Sequence, residues 1–183
     1  MPKLIYSMSM SLDGYIKGPD GTFDWSVPTE EEHWLHNEHV GALSAHLCGR
    51  ALYETMRFWD TPEATNSEDP VMREFAAIWQ ALPKIVFSRT LTSVEGRNTR
   101  LATRDVEAEL ADLDGDVGIG GAGLAAECAH RGLIDEYLPF VKPVITGGGT
   151  PFIPPLDAPV DLRLLETRTF GDGAVYLRFA RAV

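Results

Sequence analysis

The sequence predicts an α/β domain: a mostly parallel mixed sheet, helices on both faces, and an antiparallel hairpin at one edge. Three observations point there. Short apolar runs of strand length alternate with helix-period segments along most of the chain. The tail, DLRLLETRTFGDGAVYLRFARAV, has two alternating runs around Gly171-Asp172-Gly173, the pattern of a hairpin. The 183 residues fit one domain spanning 1–183, large enough to bury a substantial core.

The elements follow in order. LIYSMSM (4–10) alternates small or polar with apolar residues and reads as a strand, and the turn-rich 11–25 reads as a loop. Thr29 and Glu32 form a capping box that starts a helix at Glu30. AHLCG (45–49) is a strand, and the following RALYETMRFW carries Leu52, Met56 and Trp59 at helical offsets. The acidic stretch 60–69 reads as a mobile surface loop. Asp69-Pro70 then supplies a cap and first-turn proline for a helix over VMREFAAIWQAL. KIVFS (84–88) is a buried strand, TRDVEAELADL an acidic helix, DVGI (116–119) another strand, and GAGLAAECAHRG a helix ended by Gly132. EYLPFVKPVI (136–145) reads as a strand broken by prolines.

A net charge of −11 with no Lys/Arg cluster argues against nucleic acid as a partner. Nothing approaches the roughly 20 apolar residues of a membrane span, and the N-terminus lacks a signal-peptide pattern. Cys48 and Cys128 sit in apolar stretches as buried free thiols, so a reducing, cytoplasmic setting is expected. His33, His36 and His39 recur every three residues among glutamates, which reads as a solvated face and not a zinc site.

Gly118, Gly120 and Gly123 spell G-x-G-x-x-G. The Rossmann form of this pattern sits in the first strand–helix turn, with an acidic residue about 20 positions on. Here it lies late in the chain, and PFVKP occupies the downstream position. The Rossmann context is absent, yet a strand that runs through glycines into a helix still leaves free N–H groups for a diphosphate. A tight packing turn is the bland alternative.

Four segments in order, MSLDGYI, LCGRALYETM, KIVFSRTL and GIGGAGLAAECAHRGLIDEYLPFVKPVITGGGTPFI, resemble the dihydrofolate reductase-like superfamily. The resemblance is closer to stand-alone proteins similar to the reductase domain of the bifunctional riboflavin-biosynthesis deaminase/reductase. It implies a dihydrofolate reductase-like three-layer fold, NADPH as cofactor, and a homodimer. It also implies that Gly120 and Gly121 hold the cofactor diphosphate where Ala122, Gly123 and Leu124 open the helix. Ile16 matches a position whose backbone meets the nicotinamide carboxamide.

Gly49-Arg50 and Ser88-Arg89-Thr90 each follow a strand and offer guanidinium and hydroxyl groups to a 2′-phosphate, with surface ion pairing as the alternative. FDWSVPTEEEHW resembles the dihydrofolate reductase segment in which Trp-x-x-Pro-x-Asp/Glu leads into a helix. Glu30 would inherit that carboxylate's substrate contact, and Trp25 would border the nicotinamide. Packed beside Trp25, Glu30 would be desolvated, which suits proton exchange near neutrality. Asp13 is the second catalytic candidate, with an Asx turn to Gly14 as its alternative. GGGTPF could form an anion-binding nest.

No arginine occurs in QALPKIVFS, where dihydrofolate reductases anchor the folate tail, so true dihydrofolate reductase activity is not expected. The expected function is an NADPH-dependent reductase passing hydride to a small heteroaromatic or pteridine- or pyrimidine-like substrate. A non-catalytic ligand-binding protein of the same fold and a flavin-using oxidoreductase are the alternatives.

Overall fold

The computed structural model describes residues 2–182. In chain order its elements are β1 (Leu4–Ser11), β2 (Tyr15–Lys17), α1 (Glu30–Gly41), β3 (Ala45–Gly49) and α2 (Arg50–Met56). They continue with α3 (Pro62–Thr65), α4 (Pro70–Ala81), β4 (Lys84–Phe87), β5 (Thr99–Leu101), α5 (Val106–Ala111) and β6 (Val117–Gly120). The chain ends with α6 (Ala122–His130), β7 (Glu136–Lys142), β8 (Thr150–Pro151), β9 (Leu162–Thr169) and β10 (Val175–Arg181).

Eight strands form one sheet in the order β5-β4-β3-β6-β1-β7-β10-β9. Pairings from β5 to β7 are parallel, and β10 runs antiparallel to both β7 and β9. The period-2 geometry of β1 sends Leu4 and Tyr6 to one face and Ile5 to the other. Leu4 and Tyr6 pack with Leu124, Ala125 and Cys128 of α6 and Val106 of α5. On the opposite face, Leu35 of α1 meets Phe140 and Tyr176, while Phe75 and Trp79 of α4 cover Cys48 and Val86. The sheet is therefore covered on both sides, as a parallel sheet requires. Each fully buried side chain of this kind, such as Phe140, contributes about 1.5–3 kcal/mol.

The caps form where local chemistry places them. Thr29 Oγ1 accepts from Glu32 N at 3.3 Å, and Thr29 N donates to Glu32 Oε2 at 2.6 Å. Asp69 caps α4 through Val71 N at 3.0 Å, ahead of Pro70. Gly132, at φ 65°, follows the end of α6. Cys48 and Cys128 are free and buried, and burial pushes both thiols up to about 12. Among the described residues, no helix is long and apolar enough to cross a membrane.

Three segments differ from the sequence reading. β7 runs unbroken through Pro139, which stays paired with Met8 of β1, while the ladder to β10 is interrupted at Leu138 and Pro139, where the proline has no N–H to donate. Residues 60–69 are not merely a loop: Thr61 caps the short α3, after a 3-10 turn at Arg57–Asp60. β2 and β8 pair into a second small sheet, and β5 extends the main one.

Candidate active site

A cleft of about 1090 Å³ opens over the α1/α4 face of the sheet and reaches the carboxyl ends of β3, β6 and β1. Open α/β sheets bind ligands at such strand ends. One half is built from glycine. Gly49 caps α2 and Gly121 caps α6, the latter at φ 100°. A Cβ on Gly121 would stand 3.0 Å from the Cα of Gly49, so the two turns cross almost backbone to backbone. A Cβ on Gly120 would meet Leu52 at 2.3 Å.

Past this crossing, the first α6 bond runs from Ala125 N to Gly121 O at 2.9 Å, leaving the N–H groups of Ala122, Gly123 and Leu124 without helical partners. The Leu124 side chain is buried in the core, so only its amide can serve a ligand. The glycines of the motif have separate reasons. Gly118 makes room for His46 and Leu43, Gly120 for Leu52, Gly121 permits the close crossing, and Gly123 stands in open space.

Beside this cradle, Arg50 Nη1 donates to Thr90 Oγ1 and Arg50 Nε to Glu54, both at 2.8 Å. Ser88 Oγ accepts from Thr90 N at 3.2 Å and Leu91 N at 3.0 Å, folding 88–91 into a tight turn. Arg89 is exposed on that turn and makes no side-chain bond among the described residues. The structure thus gathers Gly49, Arg50, Ser88 and Thr90. Buried Ile16 reaches the cleft from β2, next to Thr150 of β8.

The other half lies between α1 and α4. Glu30 lines the cleft but is exposed, and it accepts a 3.4 Å bond from Trp34 Nε1. Trp25 does not line the cleft, and its indole nitrogen is buried without a partner. The expected desolvation of Glu30 by Trp25 is therefore not met. One turn on, His33 contacts the edge of Trp59, with ring centroids 5.7 Å apart, and tilts against Phe75 at 5.6 Å. Burial lowers the pKa of His33. This aromatic box of His33, Trp59 and Phe75 was not singled out from sequence. The offsets of Trp59 after Met56 were its one trace.

Asp13 stands apart from the cleft. Its carboxylate accepts from Thr146 N at 3.1 Å and Gly147 N at 2.8 Å, latching the β1–β2 turn to the glycine loop. A hydrogen bond from Ser11, then these amides, holds Asp13 below the usual carboxylate range. Of the GGGTPF segment, where a nest was expected, the Gly147 amide is occupied by this side chain. Gly149, at φ 123°, allows the loop to pass β2, since a Cβ there would lie 2.0 Å from Lys17 O.

The three α1 histidines face the cleft and not bulk solvent. His36 tilts over Phe140 at 4.1 Å, and His39 meets Tyr176 Oη at 3.4 Å. Burial pushes His36 down to about 3 and His46 to about 4. An unfolded chain protonates both near 6.5 while the folded one does not, so stability rises with pH across that window. Acidification to pH 5 is expected to cost about 2 kcal/mol per histidine. Urea midpoints at pH 7.5 and 5 check this, with His46→Gln flattening the difference. Among the described residues no group of His, Cys, Asp and Glu is placed to hold a metal.

Comparison with known families matches the RibD C-terminal domain model over residues 2–176. The chain belongs to the RibD C-terminal domain family. This RibD-type domain is 25% identical to the uncharacterized protein YyaP of Bacillus subtilis, over 96% of this chain and 93% of that one. A putative riboflavin biosynthesis protein from Shewanella sp. PV-4 superposes with TM-score 0.77 at 21% identity, covering 99% of each chain. Dihydrofolate reductase from Enterococcus faecalis, complexed with NADP(H), gives 0.62 at 17% identity over 99% of this chain and 97% of that one. The RibD-type domain has the dihydrofolate reductase-like fold expected.

Proposed function

We propose that the protein is an NADPH-dependent reductase that transfers hydride to a small heteroaromatic or pteridine- or pyrimidine-like substrate. The crossing of Gly49 and Gly121 carries this reading, because it opens two helix N-termini onto the cleft beside Arg50 and Thr90. The residues fit a dinucleotide. The amides of Ala122, Gly123 and Leu124 would hold the diphosphate over Gly120 and Gly121, with the α6 dipole behind them. Arg50, Ser88, Arg89 and Thr90 would take the 2′-phosphate, and Ile16 the carboxamide end. The bound nicotinamide supplies the hydride.

The chain's own residues do the rest. His33, Trp59 and Phe75 form an apolar wall on which a flat ring stacks. Glu30, at the rim, accepts hydrogen bonds from ring N–H groups and relays to the ring a proton taken from solvent. Lys84 cannot anchor a folate tail, because its ammonium is buried and caps the carbonyls of Trp79 and Leu82. The working unit is a cytoplasmic homodimer in this reading.

Tryptophan fluorescence titration with NADPH and NADH tests the cofactor. Arg50→Ala should weaken NADPH at least ten-fold and leave NADH nearly unchanged, since one charge-assisted bond is worth about 1.5–3 kcal/mol. Equal loss for both nucleotides would remove Arg50 from the 2′-phosphate site. The exposure of Glu30 favours a second reading, a ligand-binding protein without hydride transfer. If reducible heterocycles oxidise NADPH and Glu30→Gln lowers kcat ten-fold or more, that second reading is excluded.

A further inference from the structure

β9 closes one end of the eight-stranded sheet, and every residue from Leu162 to Thr169 is exposed. Apart from Arg168, which pairs with Glu31 at 2.8 Å, the strand is open on both faces and along its outer edge, where it offers unpaired N–H and C=O groups to another strand. Three leucines lie on it, Leu162, Leu164 and Leu165, at 41%, 50% and 41% exposure, preceded by Val160 at 37%. An apolar groove of about 490 Å³, lined by Phe152, Pro154, Leu156, Pro159 and Phe179, adjoins its first residues.

The register of β9 against β10 contains an irregularity. Glu166 faces Arg178, but Leu164 faces Phe179, so Leu165 is an extra residue in the ladder. Arg163 faces Ala180, and Arg178 and Ala180 lie two apart on β10. The bulge thus puts Arg163 and Glu166 on the same face of the sheet, although they stand three positions apart. Neither forms an ion pair among the described residues.

We infer that β9 is the docking edge for a second copy of this chain, paired antiparallel about a two-fold axis between Leu164 and Leu165. In that register Arg163 of each copy faces Glu166 of the other, Asp161 faces Arg168, and the leucines meet at the axis. Directly opposed residues in an antiparallel ladder must share a face. A strand without the bulge would set Arg163 and Glu166 on opposite faces, so the bulge is what makes this pairing self-complementary. The interface is isologous, as two-fold dimers require, and joins two sheets into one of sixteen strands. A stable dimer covers about 800 Å² per partner, so the leucines and the adjoining groove must contribute beside the strand itself.

This inference rests on the homodimer taken above and adds its surface and register. Sedimentation equilibrium on the full chain tests it, with far-UV circular dichroism confirming that each variant is folded. The wild type is expected to be a dimer at micromolar concentration. Arg163→Glu and Glu166→Arg should each weaken association ten-fold or more, by setting like charges opposite one another twice per dimer. The R163E/E166R double variant should recover most of the loss. A monomeric wild type would overturn both the homodimer and this edge. A dimer indifferent to either reversal, or one that the double variant fails to restore, would overturn the edge alone.

Discussion

Replacing Gly121 by alanine is expected to weaken NADPH binding at least ten-fold and to lower thermal stability. Alanine at φ 100° costs about 1–3 kcal/mol of backbone strain. Its Cβ would also press on Gly49 Cα and N at 3.0 and 3.1 Å, where backbone cannot move aside as a side chain can. Relief can come only by separating the two turns, which misaims the amides of both helix ends. Gly123→Ala gives the contrast: with open space around it in a helical position, it should hold or raise Tm. Differential scanning calorimetry and nucleotide titration on both variants separate the close crossing from a generic effect of losing glycine.

Lys142→Met should be the most destabilising single change to an ion pair in the molecule. Lys142 Nζ lies 2.8 Å from both carboxylate oxygens of Glu32, and the two side chains are 5% and 1% exposed. Asp172 adds a contact at 3.3 Å. Removing the ammonium leaves the Glu32 carboxylate buried with, among the described residues, only Thr29 N as a hydrogen-bond donor to it, a loss of about 3–5 kcal/mol. For a chain of this length that lowers Tm by roughly 10 °C. The double variant Glu32→Gln, Lys142→Met should lose less than Lys142→Met alone, because no charge is then stranded. Chemical denaturation of the wild type, the two single variants and the double variant measures the coupling.

The sheet and most helices were legible because their signals are local. Thr29-x-x-Glu32, Asp69-Pro70 and Gly132 each act within a turn of chain, and each sits where it was read. The three-residue strands β2 and β5 were not legible, since each is defined by its pairing with another strand, β8 for β2 and β4 for β5, and not by a pattern of its own. The same holds for Glu32, whose partner Lys142 lies 110 residues away. The α1 histidines were misplaced because interleaved glutamates suggested solvent. A three-residue period keeps one helix face, and Leu35 beside His36 marks that face as the inner one. Glu30 was expected from the Trp25-x-x-Pro28-x-Glu30 resemblance and Asp13 from its loop after the first strand, but one is exposed at the rim and the other is bonded to a distant loop.

That bond has a consequence for recognition. With Asp13 occupying the amides of Thr146 and Gly147, the β1–β2 turn and the glycine loop form a preassembled wall at the carboxyl end of β1. The ordering entropy of that wall is spent during folding, so a ligand settling against β2 finds it rigid. Adaptation to ligands of different outline then falls to the opposite wall, the 3-10 turn carrying Trp59 and the helices beside it.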